Sequence, residues 1–380
     1  MSARPVFARR SARLAAGALL FTLAAPGAGP TGAAAGASDV GPGLPVPPTA
    51  ARVDSLIRPG ETHFAGMWQL TFGGENAEAY WSADGSKVIF QATRPGWPCD
   101  QMYVMDLGTA KETRVSTGRG RCTCGYFYDH DRRIFFSSTH LADDSCPPQP
   151  DYSHGYVWRV DPGYDIFTAR PGGSGLRRLT RTTGYDAEGT LSSDGRWIVF
   201  TSMRDGDLDI YKMRPDGSEV TRLTRAPGYD GGPWFSHDGT RICYRAHHPA
   251  DSASLADYRS LLARDLVRPT EMDLWVMNAD GSDQHPVTHD PGASFAPFFA
   301  PGDGALIYAS NREDPHGMNF DLYLVPLTAT GGGTPEPVTR DPLFDAFPMF
   351  SPDGRWLLFE SNRGHRAPHE TNIFLARWRP

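Results

Sequence analysis

Two short segments, Asn76-Ala-Glu78 and Asp186-Ala-Glu188, are near copies of each other. On a strand, residues two apart point the same way, so each segment offers a pair of polar side chains on one face. Carboxylates crowded into a narrow space raise one another's pKa and attract cations or cationic groups. A second set is basic: Arg94, His140, Arg204, His247, His248, Arg312, His316 and Arg363. Arginines of this kind can clamp a carboxylate or a phosphate. His140 and His247 with Glu78 form the candidate ligand set for a divalent metal, because His with carboxylate suits Zn, Mn or Ni. No H-x-H or H-E-x-x-H spacing accompanies them, so no cofactor is expected and a divalent metal stands as the alternative. Asp205-Gly-Asp-Leu-Asp209 begins like a calcium loop but lacks the sixth-position Gly and the distal Glu. Gly172-Gly-Ser-Gly175 lacks the spacing of a nucleophile elbow, and no G-x-S-x-G occurs.

The elements that must position these residues come from a segment repeated six times. Its last copy reads Phe350-Ser-Pro-Asp-Gly-Arg-Trp-Leu-Leu-Phe359, and clear copies end at Phe90, Phe200 and Tyr244. Two degraded copies end at Phe136 and Tyr308. Each is a strand end, a tight Asp-Gly turn and a second strand, which is a β-hairpin signal. The final aromatics are 46, 64, 44, 64 and 51 residues apart. A period of about 45 residues is that of a four-stranded propeller blade, and units two and four carry insertions of about 20 residues. A third strand recurs as Asp165-Ile-Phe167, Asp209-Ile-Tyr211, Asp273-Leu-Trp275 and Asp321-Leu-Tyr323, and a fourth as pairs such as Leu223-Thr224. Because the Asp recurs, it reads as architecture, bonding nearby backbone. Only five fourth strands follow the hairpins; the sixth, Leu70-Thr71, precedes them. The expected fold is all-β: a six-bladed β-propeller of four-stranded antiparallel blades, its ring closed by the N-terminal strand around Met67 to Thr71 completing the last blade.

Strand direction places both insertions, roughly 139–160 and 246–271, on one face, the top, where long loops on a rigid scaffold carry function. The second has helical spacing in Leu255, Tyr258, Leu261, Leu262 and Leu266, with Ser252 or Ser254 as cap. Aligned by their hairpins, the first strands give a ring of Asn76, Cys122, Asp186, Asp230, Ser294 and Asp345. Two residues on, a second ring reads Glu78, Cys124, Glu188, Gly232, Ala296 and Phe347. What recurs in every blade is scaffold, and what breaks the pattern on the top face is a candidate site. The candidate binding residues are therefore Glu78, Asp186, Glu188, Asp230 and Asp345 near the channel, with the histidines and Arg204, Arg312 and Arg363 at the loop starts.

Residues 1–37 hold Arg4, Arg9, Arg10 and Arg13, no acid, an apolar run from Leu14 to Ala25, and Ala35-Gly-Ala37 as a cleavage pattern. They read as a signal peptide, and 38–61 as a flexible Pro/Gly-rich lead-in before a propeller over 62–380. Without the leader, 33 basic residues face 44 acidic ones, net −11. That acidic balance, with no Lys/Arg run, excludes nucleic acid as partner. No segment is long and apolar enough to span a membrane. Export to the periplasm or beyond favours disulfides among Cys99, Cys122, Cys124 and Cys146. Three pairings are open, of which Cys124 with Cys146 would staple the first insertion to its own blade; a Cys-x-Cys zinc site is the alternative. Cys243, alone in a strand, reads as a buried thiol.

The F-S-P-D-G hairpin, the x-D-[IL]-[YF] strand and the closing L-T strand resemble the TolB-type (WD40-like) propeller repeat, over residues 62 to 380. They are also similar to the propeller of prolyl oligopeptidase-type peptidases. TolB carries an α/β domain before its propeller, which this sequence is expected to lack, and no hydrolase elbow is present. The resemblance implies fold more than function. The leading expectation is an exported, monomeric, non-catalytic binding scaffold for an envelope or secreted protein, a peptide or a glycan. The alternatives are a metal-dependent lyase or hydrolase at the channel mouth, some propellers of related repeat being sugar lyases, and a regulatory subunit of a peptidase.

Overall fold

A computed structural model describes residues 46–152 and 155–380. The expected signal peptide and the start of the lead-in lie outside the described residues. Six antiparallel sheets follow one another along the chain. Blade 1 is built from Asn76–Trp81, Lys87–Arg94, Trp97–Asp106 and Glu112–Arg114. Blade 2 uses Cys122–Tyr128, Arg133–Ser138, Asp165–Ala169 and Arg177–Arg178, and blade 3 uses Asp186–Leu191, Ile198–Ser202, Asp209–Met213 and Thr221–Arg222. Blade 4 runs through Tyr229–Phe235, Arg241–His247, Asp273–Asn278 and His285–Pro286. Blade 5 takes Ser294–Phe299, Ala305–Ser310, Asp321–Thr328 and Glu336–Pro337, and blade 6 takes Asp345–Phe350, Trp356–Ser361 and Asn372–Trp378. The outer strand of blade 6 is Phe64–Gln69, with Trp68 opposite Leu375, so the N-terminal strand closes the ring. Closure leaves no open joint between first and last blade.

The repeated residues explain why every blade holds. The hairpin-final aromatics Phe90, Phe136, Phe200, Tyr244, Tyr308 and Phe359 are all fully buried. Each lies directly opposite the aromatic of its third strand, Tyr103, Phe167, Tyr211, Trp275, Tyr323 and Phe374. The ring centroids of these pairs are 5.7–6.4 Å apart. Such cross-strand aromatic pairs contribute about 0.5–1.5 kcal/mol beyond their buried area. The third-strand Asp is scaffold, as its recurrence implies. Thr224 Oγ1 donates to Asp209 at 3.3 Å and accepts Ile210 N–H, and Thr180, Thr288 and Thr339 treat Asp165, Asp273 and Asp321 alike. The supposed calcium loop falls apart for the same reason. Asp205 accepts Tyr211, Asp207 accepts Tyr258 and Asp209 pairs with Arg222.

The two degraded hairpins are clasps. Where the turn sequence is lost, Asp131 and Asp303 adopt left-handed φ of 61° and 57°. The Asp131 carboxylate accepts Ala83 and Asp84 N–H from blade 1, and the Asp303 carboxylate accepts His237 and Asp238 N–H from blade 4. Each therefore ties the turn of the preceding blade.

Residues 46–61 differ from a structureless lead-in. Ala51–Arg52 adds a fifth strand beside Phe64–Gln69, and Val46, Val53, Leu56 and Ile57 pack on the core. Glu61 is buried against Arg363. The apolar residues among the prolines supply the burial that a flexible linker would lack.

The second insertion holds the helix Ser252–Leu262. Its cap is Asp251 rather than a serine; Asp251 accepts Ala253 and Ser254 N–H, with Ser254 at the third position. Tyr258, Leu261 and Leu262 are buried, and Tyr258 donates to Asp207 at 2.5 Å. Leu266 lies beyond the helix. In the strand Leu266–Val267 it pairs with Trp158–Arg159 of the first insertion, so the two insertions join in a two-stranded ribbon. Among the described residues no helix is long and apolar enough to cross a membrane.

Candidate functional site

The inner strands share an irregularity that the repeat alone does not announce. In every blade the register shifts within the first strand, as between Ala77 and Tyr80 or between Ala187 and Thr190. The residue at this bulge is left-handed each time: Glu78 (φ 53°), Cys124 (52°), Glu188 (60°), Gly232 (59°), Ala296 (50°) and Phe347 (51°). A bulge re-aims a side chain, and these six line a cavity of about 200 Å³ in the top half of the channel. Two residues further on, Tyr80, Tyr126, Trp234 and Phe298 interlock edge to face, with Trp234 5.0–5.4 Å from each of the others. Tyr80 and Trp234 floor the top cavity, while Tyr126 and Phe298 line a separate cavity of about 600 Å³ among the hairpin turns. The channel is thus plugged by aromatics midway.

The ribbon roofs the upper cavity. Trp158 meets Phe295 edge-on at 6.3 Å and lies 5.4 Å from the Arg245 guanidinium. Arg245 pairs with Glu188 through Nη2 and donates to Tyr229 Oη at 2.6 Å. Glu188 also accepts Thr201 Oγ1 at 2.7 Å and Gly232 N–H at 2.8 Å. A Cβ on Gly232 would meet the Arg245 guanidinium and displace it from its present position. Across the cavity Glu78 accepts Tyr80 Oη at 3.2 Å, and its own N–H donates to Glu360 at 3.1 Å. Burial pushes the Glu78 carboxyl above its ordinary range, and Glu188 adds to this against the Cys124 thiol and Arg245. Glu360 rises further, through burial and then the charge of Glu78. Burial, with both glutamates, also keeps the Cys124 thiol protonated.

The first ring does not reach this cavity. Asn76, Cys122, Asp186, Asp230, Ser294 and Asp345 are fully buried, and four of them are held by the residues that start the second-to-third loops. Arg94 donates to Asn76, Arg204 to Asp186, His248 pairs with Asp230, and Arg363 with Asp345. The same bases cap the aromatic pairs of their blades. Arg204 lies over Phe200 and Tyr211, Arg312 over Tyr323, Arg363 over Phe359, His140 on Phe167 and His248 on Trp275. Asp186, Arg204, Asp230, Arg312, Asp345 and Arg363 therefore have partners within the scaffold, while His248, though paired with Asp230, also lines a groove with His247.

His140 is buried, bonds Ser138 Oγ at 2.8 Å, and has its pKa lowered by burial. His247 bonds the Glu271 carbonyl at 2.6 Å and, with exposed His316, lines a groove between the loops of blades 4 and 5. His140, His247 and Glu78 are thus not brought together. Among the described residues no three His, Cys, Asp or Glu side chains converge as metal ligands.

The cysteines pair as Cys99–Cys146, with Cα atoms 5.8 Å apart, joining blade 1 to the first insertion. Cys122, Cys124 and Cys243 are buried free thiols. Cys124 with Cys146 is therefore not the staple: the bulge turns Cys124 into the channel. Sequence reasoning missed Trp158, Arg245 and Glu360. The last two stand one residue beyond the hairpin-final aromatic, where other blades have Gln91, Ser137, Thr201 and Ala309. Both are exceptions at a position that carries no charge in the other four blades.

Comparison with known proteins fits this geometry. The TolB beta propeller domain family matches residues 156–261. The Tol-Pal system protein TolB of Bordetella pertussis is 32% identical over 126 residues, 33% of this chain and 24% of that protein, so the match spans about a quarter of the relative. Among solved structures, a putative TolB from Agrobacterium tumefaciens superposes with a TM-score of 0.51 at 19% identity, covering 81% of this chain and 91% of that one. An oligogalacturonate lyase in complex with manganese superposes at 0.50 with 16% identity, covering 88% and 97%. At such identities the likeness is one of fold. With its six registered repeats and closed ring, the chain has the fold of a six-bladed β-propeller, and over residues 156–261 it resembles the TolB beta propeller domain.

Proposed function

We propose that this chain is an exported, monomeric, non-catalytic binding scaffold that holds an envelope or secreted protein, a peptide or a glycan at the top of its channel. The observation that carries the reading is the roofed cavity. Its residues are the exceptions to the repeat, and both long insertions meet above it. A small concave site with aromatic walls and few convergent polar groups is a ligand site in form. The Cys99–Cys146 bond suits an oxidising compartment, which supports export. The metal-dependent lyase reading has a fold likeness behind it, but its ligands His140, His247 and Glu78 stand apart.

The test is photo-crosslinking in the native host. A crosslinker at exposed Tyr156, on the roof, is compared with one at exposed Ser193, on the opposite face. A discrete adduct from position 156 alone is expected. Adducts from 193 alone would move the site to the other face. Turnover of a polysaccharide by the purified chain with manganese would replace the scaffold reading by the lyase one.

A further inference from the structure

We propose that the roofed cavity takes an organic cation, an ammonium or guanidinium group on a short apolar stem. This rests on the reading of the cavity as the binding site. Arg245 is paired with Glu188, whereas among the described residues neither Glu78 nor Glu360 forms a salt bridge, and of these two it is Glu78 that lines the cavity. Another part of the lining is aromatic: Phe295 and Phe347 meet edge to face at 5.4 Å, and Trp158 meets Phe295 edge-on. Aromatic faces beside a carboxylate attract a cation, more strongly once water is excluded.

The protein already uses this arrangement on one of its own side chains. The Arg245 guanidinium lies 5.4 Å from both Trp158 and Tyr229 and is neutralised by Glu188. The same kinds of side chain occur again in the lining, Glu78 as a second carboxyl and Phe295 and Phe347 as further rings. Size narrows the ligand further. At about 200 Å³ the cavity is smaller than the ~300–1,000 Å³ of drug-sized sites. It has room for a single side chain or a small amine.

The experiment is calorimetric titration of the signal-less chain with its disulfide intact. The probes are n-butylammonium and n-butylguanidinium, the neutral and anionic counterparts n-butanol and butanoate, and calcium chloride. Both organic cations are expected to bind, with butanol at least about ten-fold weaker. Glu78→Gln should weaken the cations about ten-fold or more, the scale of a charge-assisted hydrogen bond. Because Glu78→Gln could disturb the bulge, Phe347→Leu serves as a second variant. It removes the ring but keeps an apolar wall, and should weaken the cations while leaving butanol unchanged. A lysine-bearing peptide that binds more tightly than butylammonium identifies a protein as the source of the cation; equal affinity identifies a small amine. Butanol or butanoate binding as well as the cations, or cation affinity unchanged in both variants, overturns the cation and leaves the cavity a binding site. Calcium displacing the amines at lower concentration overturns it in favour of a metal. If no probe binds, the inference fails, and the crosslinking contrast decides separately whether the top face binds a partner.

Discussion

Six residues at one position set the character of the channel. Five of the six bulge residues are not glycine, and a left-handed residue costs about 1–2 kcal/mol. The preceding blade recovers part of that cost by accepting the bulge N–H. Glu360 does so for Glu78, Gln91 for Cys124 and Glu188 for Gly232. The ring therefore joins blades as well as lining the cavity. Glu78 carries a testable consequence. Its folded pKa lies above the ordinary 4.5, so the folded protein binds the proton more tightly than the unfolded chain. That stability is fully present below pH 4.5 and is lost as pH rises through the folded pKa. Glu78→Gln has no such dependence. Its unfolding temperature relative to wild type is expected to rise between pH 4 and pH 8; a constant difference would mean that Glu78 titrates normally. The sequence showed which residues break the repeat, and so Glu78 and Glu188. It did not show that a bulge separates them from Asn76 and Asp186, because simple alternation places residues two apart on one face. The arginines and histidines of the loop starts misled for a related reason. Their recurrence in Arg94, Arg204, Arg312 and Arg363 was the mark of an aromatic cap.

At the scale of elements, two insertions become one roof. Their positions and the helix were legible from the period and the apolar spacing. Their pairing through Trp158–Arg159 and Leu266–Val267 was not, since two-residue strands carry no periodicity. The disulfide anchors this roof to blade 1. Cys99 and Cys146 are 47 residues apart, a loop whose closure contributes on the order of 3–4 kcal/mol. Reduction, or Cys99→Ser, should lower the denaturation midpoint accordingly and speed proteolysis within residues 139–160 before the blades. Thiol titration of the unreduced, denatured chain should find three free cysteines. One free thiol would mean a second bridge and a different roof. Spacing could not choose among the pairings, because all four candidates lie near the tops of the same two blades.

For the whole molecule, stability rests on how the ring is closed. Arg363 is fully buried and holds Glu61 in a two-toothed contact, both bonds 3.1 Å, and Asp345 at 2.6 Å. It thereby ties the segment before Phe64–Gln69 to the last blade. Burial pushes Asp345 up to about 6 even against the pull of Arg363. Arg363→Met leaves two buried carboxyls without their cation and is expected to cost about 3–5 kcal/mol in a denaturation curve. An unchanged midpoint would show that the Phe64–Gln69 strand closes the ring unaided. Blade number and closure were readable because six hairpins and a displaced sixth outer strand leave little choice. The clasps at Asp131 and Asp303 were not, since a lost turn motif looks like decay until its carboxylate is seen to serve the neighbouring blade. Scaffold in the repeats and binding in their exceptions is the central claim. The direct test is the yield of the host adduct formed from position 156 in the wild type and in a chain carrying Trp158→Ala with Glu78→Gln. The account predicts that the adduct is lost while the folded ring persists by circular dichroism; an undiminished adduct from a folded variant would contradict it.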